Sequence, residues 1–287
     1  MAGTAAVVAA TPLPARALVP YVLVPTPATL EGAGLGIAQA AARLLRLGQA
    51  DDAARLAALT VQLIPDDPRG WVLLAEAQLR SGQDKAAGEA LERARALDPR
   101  NAAILFAQGS LALKASEPAQ AADLIRQGLK LDARNAGAYF DLGNAHILMG
   151  QSGEALKAFE RASGLRRDFW EAINNQALVL YEQQKEGEAI ERWRRVLRIS
   201  PRATEPMLAL AAALHLRSPG NSESLELAHQ ALAGEPNYVL ESHQKEQLWG
   251  PRLRAATQTL LSLPELKGDV ERAQANAGSS SDEDPEE

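Results

Sequence analysis

The side chains best suited to chemistry are few and scattered. Four histidines, His146, His215, His229 and His243, stand at no spacing that would assemble a metal site or a catalytic pair, and each is expected to be a packed or solvated helical residue. The absence of cysteine removes thiol nucleophiles, disulfides and cysteine-based zinc sites. Gly32-Ala33-Gly34-Leu35-Gly36 has the glycine density of a phosphate loop, but no strand precedes it and the Lys-Ser/Thr of such a loop is missing. It is expected to be a flexible lead-in to the first helix. No Gly-x-Ser-x-Gly or kinase signature appears. The expectation is therefore a protein that is not an enzyme and uses no cofactor and no metal.

Arginine does cluster, at Arg192, Arg194, Arg195 and Arg198, with Arg166 and Arg167 nearby. A nucleic-acid surface interleaves such cations with stacking aromatics, whereas here only Trp193 is close, and Glu186, Glu188 and Glu191 dilute the field. A net charge of -6 and a pI near 5.4 give no basic field for nucleic acid or an anionic membrane. No apolar run reaches the ~20 residues of a membrane-spanning helix. The partner class that remains is protein or peptide.

The elements that would position a partner show themselves through a repeat. A period of 34 residues runs from Gly34 to Tyr238, with units at 34–67, 68–101, 102–135, 136–169, 170–203 and 204–238. Position 20 of the unit is Ala53, Ala87, Ala121, Ala155, Ala189 and, after a one-residue insertion near Ser218–Asn221, Ser224. Position 8 is small throughout, from Ala41 to Ala211, and position 27 mostly so, while bulk falls at position 24 as Leu91, Ile125, Phe159 and Trp193. Small residues let helix backbones approach, and bulky ones fill the gaps between them. Gly48, Gly82, Ser116 and Gly150 break the chain within units, and Pro65, Pro99, Pro201 and Pro236 near their ends, so each unit is a helical hairpin.

This pattern resembles the tetratricopeptide repeat family, most closely in the fourth unit through Tyr139, Leu142-Gly143, Ala155, Phe159 and Ala162. Gln108 and Gln176 depart from it at position 7, as do Ala133 and Arg167 where proline is usual. The resemblance implies an all-α, right-handed α-solenoid of six helical hairpins, with the first helix of each lining a concave groove. Carried over residue by residue, that wall includes Phe106, Phe140, Asn144, Asn174, Asn175 and Tyr181 as the expected partner-binding residues. Asn144 and Asn175 match the asparagine pair of a subfamily that clamps the acidic tail of a chaperone. That clamp's basic residues are replaced by Phe140, Glu205 and Ala209, so nothing neutralises a terminal carboxylate and Glu205 would repel it. The expected ligand is instead an extended or helical segment with apolar side chains near Phe106, Phe140 and Tyr181.

The function expected from these readings is an interaction scaffold or assembly factor. The Phe169–Asn175 stretch and Leu248-Trp249-Gly250 look similar to uncharacterised repeat proteins of cyanobacteria, a resemblance that implies photosynthetic complex assembly. The alternative is an architectural protein that self-associates through its end caps; the sequence leaves the oligomeric state open. Residues 239–264 read as capping helices, with Leu240, Leu248, Trp249, Leu253, Ala256 and Leu260 available to cover the last unit, and 265–287 as a short helix and an acidic, disordered tail. At the other end, 1–17 reads either as a signal-peptide remnant ending at Ala15-Arg16-Ala17 or as a disordered leader. The compartment is left open with it, between export to periplasm or thylakoid lumen and the cytoplasm. Prolines 20, 25 and 27 make 18–33 an extended segment in this reading.

Overall fold

A computed structural model describes residues 26–277. The readings made for 1–17, for 18–25 and for the acidic tail fall outside them. Among the described residues there are only helices and turns. Six antiparallel hairpins follow one another: α1 (Pro27–Arg46) with α2 (Ala50–Leu63), α3 (Pro68–Arg80) with α4 (Asp84–Leu97), and α5 (Ala102–Lys114) with α6 (Pro118–Leu131). Then come α7 (Ala136–Leu148) with α8 (Ser152–Leu165), α9 (Trp170–Glu182) with α10 (Glu186–Ile199), and α11 (Thr204–Arg217) with α12 (Ser222–Gly234). Each second helix packs on the next first helix, and the result is an α-solenoid. Three further helices follow, α13 (Glu241–Glu246), α14 (Pro251–Leu261) and α15 (Lys267–Asn276).

The hairpins form because small and large residues alternate in register across each helix crossing. Ala53, Ala87, Ala121, Ala155, Ala189 and Ser224 are all fully buried. Opposite position 8 sits the bulk of position 24. A Cβ on Gly109 would lie 2.5 Å from Ile125, and one on Gly143 would lie 2.4 Å from Phe159. Either close approach is possible only without a side chain on the glycine. Within units the first helix ends on a left-handed residue, at Gly48, Gly82, Ser116, Gly150 and Gln184. The following N–H then reaches back to a carbonyl of the last turn, as in Gln83 N–H to Gln78 (2.8 Å) and Lys185 N–H to Leu180 (2.9 Å).

One sequence expectation is corrected. The stretch 18–33 is not extended to its end, because α1 begins at Pro27: Thr26 caps it by accepting from the Thr29 N–H, and a proline at the first helical position fits without strain. The C-terminal segment lies against the last unit from two sides: α15 and the 3₁₀ turns Pro236–Val239 and Pro264–Leu266 pack on α12, and α14 folds back across α11 and α9, the first helices of the last two units. Leu240 stays 38% exposed.

Candidate partner-binding groove

The first helices form a wall of two different halves. In the second to fourth units the expected lining is open to solvent in part: Glu76 and Lys114 are exposed, and Val72, Phe106, Phe140 and Asn144 are half-buried. In the last two units much of it is buried. Leu178 and Tyr181 on α9 and Leu208, Ala209 and Ala212 on α11 are covered by the chain's own C-terminal segment, while Asn175 stays half-buried. A helix that packs on both sides becomes apolar nearly all round, as α11 is from Pro206 to His215.

The covering segment is held by identifiable contacts. Glu182, at the end of α9, accepts the Leu253 N–H (2.9 Å) and Arg252 N–H (3.1 Å), so a carboxylate from another unit caps α14, with Pro251 at its first turn. Arg252 also donates to the Tyr181 carbonyl and to Glu186, each at 2.6 Å, and lies over the Tyr181 ring. A Cβ on Gly250 would fall 2.2 Å from the Glu182 carboxyl carbon, so a side chain there would push that carboxylate away from the start of α14. The Trp249 indole N–H donates to Glu205 at 2.9 Å. Burial pushes the Glu205 carboxyl above the usual carboxylate range, against the opposing hydrogen bonds of Trp249, Asn174 and Tyr238. Before Gly250 the chain passes through Leu248 in the left-handed region (φ 63°), a conformation costly for a branched side chain.

The six expected binding residues therefore have different fates. Tyr181 packs on Trp193 with ring centroids 5.7 Å apart and lies beneath the covering segment, whereas Asn174, buried, accepts the Trp193 indole N–H at 3.0 Å at the back of the pocket beside Asn175. Phe106 lies over Gly128, where a Cβ would meet its ring at 2.5 Å, so part of the ring fills an inter-helix gap. Phe140 leans on Phe159 and Phe169, at 5.8 and 5.1 Å. Asn144 and Asn175 are brought together: the Asn175 amide donates to the Asn144 carbonyl at 3.1 Å, which leaves on the pair one amide nitrogen and one carbonyl oxygen for other partners.

Phe140, Asn144 and Asn175 line an open pocket of ≈ 500 Å³ together with Glu205, Tyr238 and Leu248. Across Leu248 and Asn175 lies a second pocket of ≈ 280 Å³, more apolar, with Ile147, Phe159, Val179 and Pro251. The sequence reading gave Glu182, Gly250 and Arg252 no part in holding the C-terminal segment. The run of apolar residues at groove positions Leu208, Ala209 and Ala212 was the available signal that something must cover them.

The histidines are spread over separate elements, and His229 pairs with Asp269. His146 is buried between Gln151 (2.6 Å) and Arg126 (3.3 Å), and His243 meets the Tyr238 ring edge-on at 4.7 Å. Among the described residues no cluster of His, Asp and Glu could hold a metal ion, and no helix is long and apolar enough to cross a membrane.

Two family models of the tetratricopeptide repeat match the chain, one over residues 68–111 and the other over 106–162 and 149–204. No curated protein matches by sequence. Among solved structures, PilF of Pseudomonas aeruginosa aligns at 16% identity over 86% of this chain and 99% of its own, with a TM-score of 0.56. A thermophilic tetratricopeptide repeat protein of Thermus thermophilus aligns at 20% over 63% and 98%, with a TM-score of 0.55. YrrB, described as having an unusual peptide-binding site, aligns at 18% over 67% and 99%, with a TM-score of 0.52. At these identities the likeness is one of fold.

Proposed function

We propose that this chain, a solenoid of tetratricopeptide repeats, is a scaffold that holds a segment of a partner polypeptide along its second to fourth units and against the Asn144–Asn175 pair. The observation that carries this reading is that pair with the pocket around it. A carboxamide pair with the Asn144 NH₂ group and the Asn175 carbonyl oxygen unengaged complements a peptide group, and Phe140 with the apolar pocket beyond Leu248 offers seats for neighbouring side chains. The peptide-binding site of YrrB is a precedent for this use of the fold. Among the described residues the pocket's one cation, Arg202, stands with Glu171, Glu205 and Glu246, so an internal segment suits the pocket better than a chain end with its terminal carboxylate. The cyanobacterial likeness supports photosynthetic complex subunits as the first partners to test.

The test is a pull-down from native lysate with the full chain beside Phe140→Ala/Asn175→Ala, with captured proteins identified by mass and melting compared. A partner held by the parent chain and lost at least tenfold by the variant, with melting unchanged, is the expected result. Equal capture by both chains would refute the groove and favour the end caps, for which a concentration-dependent mass is the signature.

A further inference from the structure

A second surface lies away from the groove, between α8 and α10. Arg167, Arg192 and Arg195 converge with Ser163, Gly164, Gln176 and Glu160 around a cleft of ≈ 490 Å³. Two of the guanidinium groups are set by neutral acceptors. Gln176 is buried, and its amide donates to the Ser163 hydroxyl (2.8 Å) and the Phe159 carbonyl (3.1 Å). Its own carbonyl oxygen is thereby turned to accept Arg192 Nε at 3.1 Å. Arg195 donates to the Arg167 backbone carbonyl at 3.3 Å. Among the described residues none of these three arginines forms an ion pair, although carboxylates outnumber Lys and Arg by 36 to 30 in the chain. On the opposite side of the same helix Arg194 does pair, with Glu223 at 2.8 Å.

The equivalent place two units earlier shows what is different. There Gln108 accepts from Arg95 and donates to Glu92, both at 3.1 Å, so a carboxylate belongs to the network. Glu160 occupies the matching repeat position next to Gln176, but Gln176 spends its amide on Ser163 and Phe159 instead. The remaining N–H donors of Arg192 and Arg195 are left to an external acceptor. A planar guanidinium whose Nε is already held still offers its terminal nitrogens as a fork for a carboxylate.

We propose that this cleft is a second docking site, for an acidic stretch of a partner polypeptide whose carboxylates bind Arg192 and Arg195, with Arg167 as the third cation. A polypeptide fits better than a nucleic acid. The cleft is lined by no aromatic side chain for base stacking, and the chain's net charge of -6 opposes a long polyanion while tolerating a few carboxylates.

The test uses the full chain and a fluorescein-labelled peptide of six glutamates, with binding read by anisotropy at low salt. Arg192→Gln/Arg195→Gln is expected to lose about tenfold or more in affinity, while the charge-matched Arg194→Gln/Arg198→Gln changes it less than about threefold. Should the first variant melt early, Glu160→Gln decides the matter: removing that exposed carboxylate is expected to tighten binding by about twofold or more. Failure of the parent chain to bind the peptide, equal losses in the two double variants, or no tightening on Glu160→Gln would overturn the site. Tighter binding of a single-stranded RNA hexamer than of the peptide would overturn the choice of ligand.

Discussion

At the scale of single residues, Glu205 is the group most displaced from its usual chemistry. Its carboxyl is accepted into the end of the groove by three hydrogen-bond donors, yet desolvation outweighs them and raises its affinity for a proton. The folded chain then binds more protons than the unfolded chain between the ordinary carboxylate value and the raised one, so stability falls as pH rises through that window. Glu205→Gln is expected to flatten this part of the stability-pH curve and to melt higher than the parent above the window, as read by thermal denaturation at stepped pH. Asp141, raised by burial against the hydrogen bond from Ser110 (2.7 Å), keeps a residual slope of the same sign. Residues of this kind were only half legible. Asn144 and Asn175 could be placed together through the resemblance to the clamp's asparagine pair, but Glu205 could be described only as a missing cation, because its indole partner lies 44 positions further on.

At the scale of elements, the hairpin turn shows how a repeat tolerates departures. The left-handed residue that closes α3 and α7 is glycine, whereas α5 uses Ser116 (φ 59°) and α9 uses Gln184 (φ 64°). A side chain in this region costs about 1 kcal/mol relative to glycine, partly offset by the greater freedom of glycine in the unfolded chain. Gln184→Gly is expected to stabilise the chain by roughly 0.5–1 kcal/mol in urea unfolding without altering the groove; a loss would mean that the Gln184 side chain itself holds the turn. The hairpins were legible because each depends on residues within one period: a small residue at 8 or 20, a bulky one at 24, a break between. The beginning of α1 was misjudged through Pro25 and Pro27, although Thr26 before Pro27 is itself a helix-start signal.

At the scale of the whole molecule, the solenoid is closed at one end by its own sequence. The contact that closes it joins Glu182 to the backbone of Arg252 and Leu253, about seventy positions away. Such a contact leaves no periodic trace and could not be read from spacing. Gly250→Ala, which drives a Cβ into Glu182, is expected to cost about 1–3 kcal/mol and to speed hydrogen exchange at Leu253 and in α11, while amides of the second to fourth units keep their protection. Uniform loss of protection would mean that the chain unfolds as one unit.

The same closure sets an order of events during synthesis. The first four units can fold as they leave the ribosome, each new hairpin finding the previous one already in place. The fifth and sixth cannot finish: Leu208, Ala209, Ala212 and Tyr181 stay bare until Leu253, Ala256 and Leu260 have been made. For that interval the nascent chain presents its most apolar wall to the cell, so premature termination near Gly234 would release a product with a built stack and an uncovered, sticky end.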